Sequence, residues 1–524
     1  MLLSLLEYLT PYRDIIPKAL VVLIVSLGAL IFKQSYDKHK ASRQPPGPWL
    51  TLPFIGETLS FFATHPTSFF FQRFCEYGPV FRIELFGIKN CYVVADPAAL
   101  KVLLRDENSP VDIPSGGFKL LMRDLGHLQS PQQHSLWRRM QTNALGGDAI
   151  KKMLPAVTEI IESRVREWAA TGHFDLNQAC CSLSMDLAID VVVGMPLKNL
   201  DVPWIKRCAR TFMDGLYAPP FNLPGSTLRK AMHARTALGK ALWQELRGTI
   251  GELEAKVTLS GSKPAGRSSL GSTDLDNERT KAPPCMGMLE AQVAAALPFK
   301  PLGQDTVVDL MLHNIAAAAD TTAVGLFHVL ALLASLPEQQ ALLLDEQRKV
   351  IAAHGDSITP AAVACMPHLE ACVKECMRIL PASQGSFRRV GSPLPAGRYV
   401  VPAGAFVWFH PGLLHATDPA LWDGDTSVPC PPHMDWQHGL TAAFKPERWL
   451  GGATGLHAYT FGAGLHRCLG QKLAFNELQV LVASLVRVCR WKLQHPDFLR
   501  SCQMFPVPRP ASGLDRVVIT LRSS

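Results

Sequence analysis

The chain has 524 residues, 48% hydrophobic and 18% charged, enough apolar side chain to bury a large core and too much for a disordered protein. Its net charge of +8 is spread along the sequence rather than gathered into a basic run; this argues against a nucleic-acid arm and weighs towards an acidic protein partner or an anionic membrane surface. The 13 cysteines are odd in number and contain no CxxC pair, so neither a disulfide framework nor a zinc ribbon is indicated, and a reducing cytosolic setting fits.

In chain order, Ala19 to Phe32 is apolar apart from Ser26 and Gly28, and Ile15, Ile16 and Pro17 extend it across Lys18. That is just long enough to span a bilayer, which takes roughly 17 to 25 residues. Lys33, Lys38, His39, Lys40 and Arg43 follow, so the positive-inside tendency places the rest in the cytosol. Residues 1–44 are therefore read as an uncleaved membrane anchor with a basic flank, a re-entrant or interfacial helix being the alternative, and 45–524 as one catalytic domain. Pro45-Pro46-Gly47-Pro48 is a stiff hinge between them.

Tyr77 to Val94 reads as a β-hairpin broken at Gly87. Residues 155–254 are mostly helical, with turn breaks at Gly172, at Pro203 and from Pro219 to Pro224. Residues 257–283, rich in Gly, Ser, Pro and charge, are expected to form a disordered insertion dispensable for chemistry. A long alanine-rich helix is expected from about Asp305 to Ser335 and another from about Ala361 to Leu380, with Cys372 and Cys376 as small core hydrophobes on it. Strands follow near Arg398 to Val401 and Ala405 to Phe409. The fold class is mainly α with a minor β region.

Residues 461–470 read Phe-Gly-Ala-Gly-Leu-His-Arg-Cys-Leu-Gly, directly before an amphipathic helical run. Gly462, Gly464 and Gly470 permit a tight turn in which backbone N–H groups approach the Cys468 sulfur, and the helix that follows aims its positive end there. Such a cradle suits a thiolate that donates electron density to haem iron. Phe461 can cover the proximal face of a porphyrin.

These residues resemble the signature of the cytochrome P450 family, Phe-Gly-x-Gly-x-(Arg or His)-x-Cys-x-Gly. Phe461, Gly462, Gly464, His466, Cys468 and Gly470 match it, and Ala474 and Glu477 match the small and acidic positions that follow. The resemblance covers about residues 45 to 520 and implies the P450 fold with heme b (iron protoporphyrin IX) held by Cys468 as axial ligand. It also implies that Glu375 and Arg378, three apart on a helix, join Arg448 of Phe444-Lys-Pro446-Glu-Arg448 in a buried structural network. For the haem propionates it implies His134 and Arg138, Arg388 and His466, with Arg139 and Arg389 as off-by-one competitors.

On the long helix, small side chains at Ala316 to Ala319 leave room for dioxygen. Thr321 can hydrogen-bond bound oxygen or an ordered water, and Asp320 can pass protons inward. The plainer alternative is a good helix-forming run whose threonines bond back to the preceding turn. The sequence departs from the family's commonest pattern at Ala318, where glycine is usual, which bears on coupling more than on reaction type.

The resemblance implies a membrane-bound monooxygenase of the endoplasmic reticulum that takes NADPH electrons from a flavoprotein reductase, with Arg139, Arg467 and Lys472 as contacts for that acidic partner. A haem-thiolate isomerase or dehydratase acting on hydroperoxides is the alternative class, and Asp320 and Thr321 argue against it. A non-enzymatic haem-binding or scaffold protein would need no relay at all. The expected substrate is a sterol, retinoid or other rigid isoprenoid, with fatty acids second. Its pocket walls are expected from residues 109–130, from Asn314 to Ala318 and from Ser383 to Ser386.

Overall fold

The computed structural model describes residues 44–48, 51–52, 55–122, 131–193, 201–259, 304–450, 459–502 and 513–522. The expected anchor and basic flank, apart from Gln44, and the expected insertion beyond residue 259 lie outside the described residues. The first three residues of that insertion, 257–259, instead end a long helix.

Helices of eight residues or more are, in chain order, α1 (Pro66–Tyr77), α2 (Pro97–Arg105), α3 (Pro131–Ala144), α4 (Gly147–Thr171), α5 (Leu176–Leu187) and α6 (Val202–Leu216). They continue as α7 (Thr227–Leu259), α8 (Gln304–Ala334), α9 (Pro337–His354), α10 (Pro367–Ile379), α11 (Trp436–Ala443) and α12 (Gln471–Val488). The strands are β1 (Val80–Ile83), β2 (Cys91–Val94), β3 (His173–Asp175), β4 (Ser386–Arg389), β5 (Leu394–Ala396), β6 (Tyr399–Val401), β7 (Phe406–Phe409), β8 (Cys489–Leu493) and β9 (Arg516–Leu521).

The expected hairpin is β1–β2, antiparallel with Val80 opposite Val94, and Phe86, Gly87 and Asn90 take positive φ in its connection. β2 runs parallel to β7, which pairs antiparallel with β4, giving the order β1-β2-β7-β4. The two strands expected near residues 400 and 407 are not partners: β6 pairs with β5 in a separate ribbon. The helix expected over 361–380 is divided into Pro360–Ala364 and α10. Pro367 has no N–H and pushes Met366 out of the helical region, to φ −117° and ψ 59°. Pro203 likewise opens α6 near its first turn rather than breaking a helix.

α8 runs through the middle of the molecule, packed against α5, α7, α10 and α12. Leu326, Val329, Leu330, Leu333 and their neighbours are buried on all sides, as expected of a helix apolar around its whole circumference. Among the described residues, Leu176–Val193 and Val308–Ala334 are long and apolar enough to cross a membrane, but they are 67% and 72% buried within the protein and serve as core. A second core of Phe61, Phe69, Phe70, Phe71, Tyr92 and Trp408 joins α1 to the four-stranded sheet.

Candidate active site

The cysteine loop lies between the turn Tyr459–Phe461 and α12. Gly462 and Gly464 adopt φ +70° and +67°, where any side chain is strained. At Gly464 space is also lacking, because a Cβ there would stand 2.2 Å from the Leu104 carbonyl oxygen of α2. The loop closes on itself through the Cys468 N–H, which donates to the Phe461 carbonyl at 2.9 Å, and the Gly462 N–H, which donates to Tyr459 at 2.9 Å. Phe461 packs on Phe475 of α12, ring centroids 5.2 Å apart.

The backbone N–H groups of Gly470 and Gln471, at the start of α12, are hydrogen-bonded to the Cys468 sulfur. Burial nevertheless raises the thiol above its ordinary value, against those N–H groups and the Arg138 and Arg467 charges. Even so, Cys468 is exposed, and N–H donors and cations face its sulfur, so the cradle fits a thiolate that holds a metal cation.

Beside this loop the fold gathers polar donors, two of them cationic, from three elements. His134 and Arg138 lie one turn apart on α3, and Arg138 Nη1 donates to the Arg467 carbonyl at 2.9 Å. The His134 and His466 rings stack 3.8 Å apart. Arg388, on β4, is 2% exposed. Its Nη1 donates to the Ser109 carbonyl at 3.2 Å and its buried Nε has no protein partner. Burial lowers Arg388 to about 10, and burial with the charges of Arg388 and Arg138 pushes His466 down to about 2. Neither Arg138 nor Arg388 is ion-paired among the described residues.

An orphaned buried guanidinium nitrogen is costly unless an acceptor reaches it. With the thiol cradle alongside, the donor set fits a group carrying a metal and peripheral carboxylates. A cavity of about 410 Å3 opens here, lined by His134, Arg138, Gly464, Leu465 and His466 among others.

Of the off-by-one competitors, Arg139 lines the same cavity and Arg389 lies elsewhere. Arg389 points to the other face of β4, where its Nε donates to Asp112 at 2.7 Å and its guanidinium covers the Phe406 ring. Arg139 is exposed on α3.

α8 passes the site as unbroken helix through Ala316 to Thr322. Ala317 and Thr321, one turn apart, are exposed on a helix otherwise mostly buried, while Ala316 and Ala318 are half-buried. The Thr321 hydroxyl donates to the Ala317 carbonyl at 2.6 Å; this is the back-bonding alternative, and it leaves the oxygen's lone pairs as acceptors. Asp320 Oδ1 lies 3.6 Å from Arg210 of α6. Burial raises the Asp320 carboxyl, Arg210 opposes this and Asp214 adds to it. Asn314 is no exposed wall residue: it is buried and accepts from Gln141 Nε2 at 2.8 Å.

Behind the loop, Arg378 donates to Glu375 through Nε and Nη2, both at 2.9 Å, and Arg448 Nη1 joins the same carboxylate. Trp449 Nε1 and the Lys445 N–H complete the set at 2.9 and 3.0 Å. Burial alone would raise Glu375, but these donors and charges outweigh it and hold the carboxyl below its ordinary value. Two bonds carry this brace forward: the Thr460 hydroxyl donates to the Met377 carbonyl at 3.1 Å, and the Tyr459 N–H to His415 Nε2 at 2.9 Å. Sequence reasoning missed Arg210, His415 and the part of Ser109 as acceptor for Arg388, whose partners are distant in the chain and leave no local spacing to read.

Comparison with known proteins agrees with this geometry. The cytochrome P450 family model matches residues 45–427 and 436–510. Abscisic acid 8'-hydroxylase CYP707A1 of Solanum lycopersicum is 24% identical over 490 residues, covering 92% of each chain. Cytochrome P450 26C1 of Homo sapiens is 26% identical over 521 residues, covering 94% of this chain and 92% of its own. The solved structure of retinoic acid bound cyanobacterial CYP120A1 superposes with a TM-score of 0.70 at 23% identity, over 92% of this chain and 99% of that one. A family match over nearly the whole length, joined to a cysteine cradle with carboxylate-seeking donors beside it, means that the chain belongs to the cytochrome P450 family, the haem-thiolate monooxygenases that combine dioxygen with a hydrophobic substrate using electrons relayed by a redox partner.

Proposed function

We propose that the chain hydroxylates a rigid isoprenoid bearing an acidic group, with Cys468 as the axial ligand of heme b. Arg388 with its unmatched buried Nε carries the site assignment. It, Arg138, His134 and His466 form the donor group for the propionates. Bound there, the haem supplies activation of dioxygen.

The protein's own residues do the rest. Ala317 and Thr321 leave open the exposed strip of α8, and the Thr321 lone pairs accept a hydrogen bond. Asp320, raised by burial, takes up a proton and passes it towards Thr321 when its link to Arg210 loosens. Glu375, Arg378 and Arg448 hold the loop's scaffold and take no part in chemistry.

The substrate class rests on relatives such as the abscisic acid 8'-hydroxylases, whose named substrate is a small isoprenoid carboxylic acid.

Residues 1–44 anchor the chain as a single pass in the endoplasmic reticulum membrane, residues 45–524 form the cytosolic catalytic domain, and the insertion beyond residue 259 is dispensable. NADPH-cytochrome reductase is the electron donor, docking near Arg139, Arg467 and Lys472, all exposed around the cysteine loop.

The test is full-length protein with reductase, assayed for NADPH- and oxygen-dependent hydroxylation of isoprenoid acids, their methyl esters and fatty acids. Expected are a thiolate-type Soret band in the reduced carbon monoxide complex, lost in Cys468→Ser, and consumption uncoupled from product in Thr321→Ala. Turnover of a hydroperoxide without NADPH would favour the isomerase class, and a Soret band indifferent to Cys468→Ser would overturn the assignment.

A further inference from the structure

Residues 428–435 (Val-Pro-Cys-Pro-Pro-His-Met-Asp) fall in the gap between the two stretches that the family model matches. They are not a plain surface loop: His433 is 7% exposed and Met434 3%. A turn in which the Pro431 carbonyl accepts from the N–H groups of Met434 and Asp435, at 2.8 and 3.0 Å, drives these two side chains inward. Two consecutive prolines limit the freedom the segment loses in doing so.

What it reaches is Arg378. The Arg378 Nη1 donates to Met434 Sδ at 3.0 Å and Nη2 to the His433 carbonyl at 2.7 Å. Apart from Glu375, the guanidinium's only other acceptor among the described residues is the Ala443 carbonyl, at 3.0 Å. A second route leaves the same segment. His433 Nε2 lies 3.1 Å from the His415 carbonyl, His415 Nδ1 lies 2.9 Å from the Arg378 carbonyl, and His415 Nε2 accepts from the Tyr459 N–H. Tyr459 opens the turn that ends in Phe461, where the cysteine loop begins.

The tautomers follow from the bonds. His415 Nε2 must be unprotonated to accept, so Nδ1 carries the hydrogen, and His433 Nε2 must carry one to donate. The segment also meets the start of α1, where the ring of Trp436, which follows it, sits edge-on to His65 at 5.8 Å.

We infer that residues 428–435 are an inserted strap that sets the register of the cysteine loop, with Met434 and His433 as positioning residues acting through Arg378 and His415. This rests on Cys468 being the iron ligand. The strap adds acceptors to a brace whose other members the family motif supplies, so the sulfur at Met434 matters as an acceptor and not only as bulk.

The test uses the full-length, haem-loaded protein, following conversion of the reduced carbon monoxide complex from the thiolate to the neutral-thiol spectrum in mild denaturant, with circular dichroism as a measure of folding. Met434→Leu keeps the volume and removes the acceptor; Met434→Gln keeps an acceptor. His433→Phe removes the donor to His415, and His433→Gln retains one. Leu and Phe should speed conversion about tenfold, the size expected when a buried polar group, Arg378 or the His415 carbonyl, loses its partner, and Gln should restore the wild-type rate at each position. Wild-type rates in Leu and Phe, a worse rate in Gln than in Leu, or failure of both Met434 variants to load haem would each overturn the strap. A wild-type protein with no thiolate spectrum would instead overturn the assignment of Cys468.

Discussion

Two glycines of the cysteine loop, two residues apart, should respond very differently to an added methyl group. Both have positive φ, so Gly462→Ala and Gly464→Ala each incur the left-handed penalty of about 1 to 2 kcal/mol. At Gly462 that is all, because the nearest atom to a new Cβ is the His466 carbonyl oxygen at 3.9 Å, ordinary contact. At Gly464 the new Cβ would stand 2.2 Å from the Leu104 oxygen and 2.9 Å from its carbonyl carbon. Leu104 belongs to α2, where the backbone is held by helical bonds and cannot yield, so the loop must move away. Overpacking of this kind adds about 1 to 3 kcal/mol, for roughly 2 to 5 kcal/mol in all.

The displacement falls four residues before Cys468, so Gly464→Ala should lose most of its thiolate-type spectrum and its haem, while Gly462→Ala keeps both with slightly lowered stability. Gly462→Asn should cost less than Gly462→Ala, since asparagine tolerates this region better than other side chains. The assays are the reduced carbon monoxide spectrum and denaturant unfolding of each variant. Equal behaviour of the two alanine variants would refute the role given to the α2 contact.

Arg388→Leu removes the guanidinium but keeps bulk on β4; haem dissociation from folded protein should accelerate about tenfold or more, measured by transfer to a haem scavenger, whereas Arg389→Leu should leave it near wild type. Glu375→Gln leaves Arg378 and Arg448 without a counter-charge in the interior and should destabilise by about 3 to 5 kcal/mol, seen as loss of soluble haem-loaded protein on expression. Acid should unfold the protein through its buried histidines. Burial lowers His65 and His433 from 6.5 to about 4 and His410 and His415 to about 3, the Arg378 charge adding at His415 and His433. Because the unfolded chain binds these protons first, stability is complete above about pH 6.5 and falls as pH drops towards 4, by up to about 1.4 kcal/mol per pH unit for each histidine. Denaturant midpoints equal at pH 7 and pH 5 would contradict this.

The cysteine loop was legible in the sequence because its motif is local: Gly462 and Gly464 take positive φ, and Cys468 and the start of α12 follow within nine residues. The pairing of Glu375 with Arg378 on α10 and the central course of α8 were legible for the same reason, being set by helical spacing and by apolar content. The break at Met366 was open to reading from Pro367, yet the apolar run around it masked the signal.

Other features had no sequence signal to find. Which of Arg388 and Arg389 turns inward depends on which face of β4 the sheet buries, and β4 lies beside β7 from another part of the chain. Whether Thr321 bonds its own helix, and that Asp320 meets Arg210, are decided by what α6 and the site place around α8. The inward turn of Met434 and His433 depends on Arg378 lying 55 or 56 residues away in the chain. By itself, then, the sequence determined the chemistry, because thiolate ligation needs a short glycine turn written in consecutive residues. Tertiary structure alone decided which cations serve that chemistry and what braces it, because a buried charge takes its partner from whatever the fold brings within about 3 Å.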